Sequence, residues 1–152
     1  MGESIDFRDY LDGKMGLERV DLRTYSPLVL AYIGDAIYEL VIRTILVERS
    51  NCPVQKLHKR ASSLVKASAQ AAMIEKIMPL LTEKELHIYK RGRNAKSYTK
   101  AKNADMLDYR KATGLEALMG YLYLGKETER MVDLICAGLA DELKLSKSEE
   151  TT

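Results

Sequence analysis

The chain has 152 residues, 46% of them hydrophobic and 30% charged, and a formal net charge of +2. That length favours one domain, and the apolar share builds a core without disulfides or a structural metal. Cys52 and Cys136 lie far apart and lack a Cys-x-x-Cys partner, which argues against a zinc module and fits a reducing cytoplasm.

Residues 1–10 carry acidic groups and lack an apolar core, so they do not read as a signal peptide, and residues 1–25 are expected to form an arm with short structure. Ser26 followed by Pro27 predicts a helix start, and apolar residues from Leu28 to Val47 recur at helical spacing. The apolar stretch Pro27 to Ile33 is broken by Gly34 and Asp35 and is too short to span a bilayer. Pro53 opens a second helix, and a third is expected from about Ser68 to Met78. Thr82 with Glu85 forms a capping box for a helix running toward Lys90 or Arg91. Gly92 to Asn103 reads as a polar loop. Helix resumes near Met106 and continues to Leu124, with Gly125 as its C-cap, and Thr128 to Lys144 forms a last amphipathic helix. Nothing alternates like a strand, so the fold class is all-α. The expected division is an arm at 1–25, one catalytic domain at 26–145 and a flexible tail at 146–152. That tail is too short for a separate RNA-binding domain.

Charge is unevenly spread. Lys90, Arg91, Arg93, Lys96, Lys100, Lys102, Arg110 and Lys111 gather against only Asp105 and Asp108, which suggests a local polyanion contact. Two acids sit inside otherwise apolar helices, Asp35 after Gly34 and Glu116 after Gly114-Leu115. A lone acid in a helix usually faces solvent. Each of these stands beside small residues that let another group approach, and a buried carboxylate is costly unless paired or metal-bound. Mg²⁺ takes oxygen ligands, keeps several waters and often uses one or two protein carboxylates. On the residues alone, a solvent face and a metal site both stay open.

Three segments in order carry a family resemblance. Tyr32-Ile33-Gly34-Asp35-Ala36-Ile37-Tyr38-Glu39-Leu40 resembles the signature helix of the ribonuclease III family, and Thr113 to Leu124 resembles its second acidic motif. Lys90-Arg91-Gly92-Arg93-Asn94-Ala95-Lys96-Ser97 resembles a stretch typical of the Mini branch of that family. The similarity runs from about Pro27 to Leu124. It implies a ribonuclease III endonuclease-domain fold, a homodimeric helical bundle that hydrolyses both strands of duplex RNA. The metal would be Mg²⁺, with Mn²⁺ able to take its place, and the products would carry 5′-phosphate and 3′-hydroxyl ends. In the Mini branch the typical substrate is precursor large-subunit (23S) ribosomal RNA.

Carried over residue by residue, the resemblance makes Asp35 and Glu116 the catalytic and metal-binding pair. It also makes Arg91, Arg93, Asn94, Lys96 and Ser97 RNA contacts, with Lys102 and Arg110 as weaker ones. Duplex RNA is read mainly by shape, through phosphates and 2′-hydroxyls, which these side chains suit. The family pattern has an acid where this chain has Ala31, and another where it has Thr113. These departures motivate an alternative, an inactive RNA-binding protein of ribosome assembly; a helical interaction module with no nucleic-acid role is a third reading. Glu39 reads as a surface glutamate sooner than an outer-shell helper, His58 and His87 as helix-face histidines, and Tyr121 and Tyr123 as core or dimer interface.

Overall fold

The structure is a computed structural model in which residues 6–95 and 103–150 are described. Among them the helices are α1 (Phe7–Met15), α2 (Pro27–Arg49), α3 (Val54–Val65), α4 (Ala67–Ile77), α5 (Glu83–Asn94), α6 (Asn103–Leu124) and α7 (Thr128–Glu150), with no strand. Short 3₁₀ turns at Leu22–Thr24 and Met78–Leu80 complete the order.

Local chemistry explains most of the boundaries. The Ser26 hydroxyl accepts from the Val29 N–H at 3.2 Å, and Pro27 takes the first helical position of α2. At α5 the Glu85 N–H donates to Thr82 Oγ1 at 3.2 Å while the Thr82 N–H donates to Glu85 Oε1 at 2.9 Å, the expected capping box. Glu85 is also buried against Arg130 of α7, which grips both carboxylate oxygens at 2.9 and 2.8 Å.

Three boundaries differ from expectation. Helix α5 continues to Asn94, so Arg91, Arg93 and Asn94 lie on a helical turn and not on a loop beginning at Gly92. Gly92 is there for close packing: a Cβ would come within 2.7 Å of the Ala117 Cβ and 2.9 Å of the Gly114 Cα. Helix α7 reaches Glu150, beyond the end expected at Lys144. Gly125 does follow α6, but the left-handed residue that ends the helix is Lys126, with φ 58°. The Glu127 N–H bonds to the Leu122 carbonyl at 2.9 Å and the Lys126 N–H to that of Tyr123 at 3.1 Å, a Schellman closure. Asp9 and Asp12 of α1 pair with the Lys126 ammonium and hold this corner.

Helix α6 is the axis of the molecule. Leu115, Leu118, Met119 and Leu122 are fully buried, packed among Tyr38, Ile42 and Leu46 of α2, Ile74 and Ile77 of α4, and Leu134 and Ile135 of α7. The approach of α2 to α6 is backbone on backbone. A Cβ at Gly34 would stand 1.7 Å from the Glu116 carbonyl oxygen, and one at Gly120 would stand 1.9 Å from that of Leu30. No rotamer change relieves such a clash, because the obstacle is the helix itself. Gly34→Ala should therefore cost about 3 kcal/mol or more of stability in a urea titration, at the top of the range for overpacking. A cost under about 1 kcal/mol would contradict the close crossing.

Candidate active site

The crossing that Gly34 permits puts the next residue of α2, Asp35, beside Glu116 of α6. Asp35 is exposed and Glu116 is half-buried. Burial pushes the Glu116 carboxyl up to about 7; the negative charge of Asp35 adds to the rise and the Gln70 amide opposes it. Asp35 is also raised, by partial desolvation and then by the charge of Glu39. Asp35 is the more open of the two and loses its proton first, so the repulsion between the pair falls on Glu116. Among the described residues neither acid has a Lys, Arg or His ion-pair partner.

The departures at Ala31 and Thr113 have structural counterparts. Ala31 is buried in a small apolar cluster with Leu30, Ile88 and Ala117, and the Thr113 hydroxyl donates to the Tyr109 carbonyl of its own helix at 3.0 Å. Neither adds a carboxylate, and among the described residues no group of three or more His, Cys, Asp or Glu gathers to hold a metal. Glu39 is engaged on the surface, accepting from Arg43 at 2.8 Å. The donor set is thus two carboxylates with raised proton affinity and no basic partner. Such a pair fits a hard divalent cation that keeps much of its water.

The expected RNA contacts distribute around this pair. Gly92 packs on Thr113, Gly114 and Ala117, so the basic end of α5 is anchored next to the turn that carries Glu116. Arg93 stacks over the Tyr89 ring at 5.6 Å and its Nε donates to Asn94 Oδ1 at 3.2 Å. Arg91 is half-buried, and Asn94 and Arg110 are exposed. Lys96, Ser97 and Lys102 lie outside the described residues. His58 and His87 sit exposed on α3 and α5, away from any ligand set among the described residues.

One residue that sequence reasoning did not single out stands behind Glu116. Gln70 of α4 is 2% exposed, its Nε2 donates to the Val65 carbonyl at 2.7 Å, and its side chain lies near enough to Glu116 to oppose the rise of that carboxyl. The signal was a lone amide in the small-residue run Ala67-Ser68-Ala69-Gln70-Ala71-Ala72, which by composition reads as surface. The Tyr38 hydroxyl lies near by without a partner among the described residues; burial pushes it up, and the charges of Glu142 and Glu116 act in the same direction.

The family described as Ribonuclease III domain matches residues 28–127, spanning both acids and the basic segment. Fold and site therefore define a ribonuclease III-type, double-strand-specific endoribonuclease, of a class that generally depends on divalent metal. The chain is 51% identical over 116 residues to a Mini-ribonuclease 3 of Clostridium tetani, covering 76% of this chain and 77% of the relative. It is 48% identical over 126 residues to one of Thermoanaerobacter, covering 83% and 89%. A crystal structure of a protein from Fusobacterium nucleatum aligns with a TM-score of 0.71 at 34% identity, over 80% of this chain and 98% of that one. The chain belongs to the ribonuclease III family and, within it, to the Mini-ribonuclease 3 branch.

The raised Glu116 carboxyl predicts a stability profile. A group that binds its proton more tightly when folded stabilises the metal-free protein below its ordinary value of 4.5, and this contribution is lost as pH rises through about 7. Thermal unfolding of metal-free protein should show a falling Tm over that window, and added Mg²⁺ should raise Tm more at pH 8 than at pH 5. Glu116→Gln should flatten both effects. A wild-type Tm that climbs across the window would overturn the assignment.

Proposed function

We propose that Asp35 and Glu116 together hold one divalent cation, Mg²⁺ with Mn²⁺ able to replace it, and that this site cuts both strands of duplex RNA. The observation that carries the proposal is the acid pair at the α2–α6 crossing, which among the described residues has no basic partner, is raised in proton affinity and is bordered by the basic end of α5. A cation bound there supplies Lewis-acid charge stabilisation and an acidified water. Asp35, the more exposed acid, faces the side from which substrate arrives, while Glu116 anchors from below. Arg91, Arg93, Asn94 and Arg110 of the described residues, with Lys96, Ser97 and Lys102, engage phosphate and sugar oxygens. The products carry 5′-phosphate and 3′-hydroxyl ends, and the natural substrate is precursor 23S ribosomal RNA. Among the described residues no helix is long and apolar enough to cross a membrane. The free thiols of Cys52 and Cys136 support the reducing cytoplasm as the working compartment.

The working unit is a homodimer formed through α2. Val29, Tyr32, Ala36, Leu40 and Val47 recur at helical spacing along its outer face, and Tyr32 is 81% exposed. A row of this kind is a marker of a contact surface, and a second copy related by a two-fold axis covers it symmetrically. Asp35 borders the row, so two protomers would present their sites to opposite strands.

Asp35→Asn and Glu116→Gln should each lower Mg²⁺-dependent cleavage of a long RNA duplex at least about 100-fold, equivalent to about 3 kcal/mol of transition-state stabilisation. Cleavage retained in both variants would remove the pair from the mechanism. In sedimentation the wild type should run as a dimer and the double variant Tyr32→Asp, Leu40→Asp as a monomer. A monomeric wild type at micromolar concentration would exclude the α2 interface.

A further inference from the structure

Arg93 follows Tyr89 by four residues on α5, so the two side chains share a face of the helix. The guanidinium carbon lies over the Tyr89 ring, 5.6 Å from its centroid, and Arg93 Nε donates to Asn94 Oδ1 at 3.2 Å. Both partners are neutral. Other cations of the chain are met by carboxylates: Arg43 by Glu39, Lys111 by Glu75 and Arg130 by Glu85. Among the described residues Arg93 has no such counter-charge, so it is held in place without being neutralised. A guanidinium kept in this way retains its full charge for a polyanion.

The ring beneath it is fixed in turn. Tyr89 is 1% exposed and belongs to the main core, and a Cβ at Gly114 would stand 2.7 Å from the ring carbons Cδ2 and Cε2. The ring is therefore seated against the α6 backbone, two residues before Glu116. We infer that Tyr89 is a positioning residue for duplex RNA: its ring, seated on the helix that carries Glu116, aims Arg93 at a phosphate in register with the acid pair. The inference rests on Arg93 being an RNA contact. Buried as it is, Tyr89 touches no substrate and acts only through Arg93. Ordering a long side chain before the encounter lowers the entropy cost of binding, and a ring face does so without cancelling the charge that a carboxylate would cancel.

Binding of a fluorescently labelled RNA duplex, followed by anisotropy without divalent metal, separates the roles. Tyr89→Leu keeps an apolar side chain and removes the ring. Its Kd should rise about three- to tenfold, and the slope of log Kd against log salt should fall by about 1, as for Arg93→Ala. Tyr89→Phe retains the ring face and should bind within about twofold of wild type. The double variant Tyr89→Leu, Arg93→Ala should bind no more weakly than Arg93→Ala alone, a non-additivity that general damage to the core does not produce. Should Tyr89→Leu not fold, Tyr89→Met refills the gap with a flexible chain and should show the same loss. A folded Leu or Met variant that binds like wild type, while Arg93→Ala is weakened, would make Tyr89 a core residue only and overturn the inference. Losses that add in the double variant would overturn it as well. If Arg93→Ala itself binds like wild type, Arg93 is no RNA contact, and that reading falls together with the inference.

Discussion

The structure depends on one contact, the meeting of the α2 and α6 backbones at Gly34 and Gly120. Neither glycine is needed for a turn. Each is needed because the opposing carbonyl oxygen occupies the place of a side chain. This approach sets the separation of the two helices to the shortest that backbone permits, and Asp35 and Glu116 are brought together as a consequence. Apolar packing on the far sides of α6 then holds the crossing shut, with Leu115, Leu118 and Met119 fully buried.

Bringing two acids together without a basic partner works against folding. Burial raises both carboxyls; the charge of Glu39 adds to the rise of Asp35, and the charge of Asp35 adds to that of Glu116, the less exposed of the two. Strain of this sort is characteristic of sites whose charge is completed by something the chain does not itself supply. A divalent cation reverses the sign of the problem, turning mutual repulsion into a shared attraction. The surrounding elements fit that role. Ala31 and Thr113 fill their places with packing and a local hydrogen bond, and Glu39 is occupied by Arg43.

Much of this was legible in the residues, and the reasons are physical. Ser26-Pro27 and Thr82 with Glu85 are short-range capping chemistry, which does not wait for tertiary structure. The acids at 35 and 116 were conspicuous because charge inside an apolar period is anomalous. The differences have separate causes. Gly92 in a basic, polar stretch looks like a loop former, yet it is consumed by contact with Ala117 and Gly114 on another helix. Helix α7 runs beyond the expected end at Lys144, since no Gly or Pro follows to stop it. Gln70 is polar and so reads as surface; its burial follows from the tight α3–α4 junction. For Gly92 the deciding partners are distant in sequence, whereas for Gln70 they lie a few residues away.

The most direct test of the account is anomalous diffraction from crystals grown with Mn²⁺. A single strong peak within coordinating distance of both the Asp35 and Glu116 carboxylates, with the rest of its shell made of water, is the predicted result. Strong manganese density elsewhere on the chain, with none between these two side chains, would contradict it.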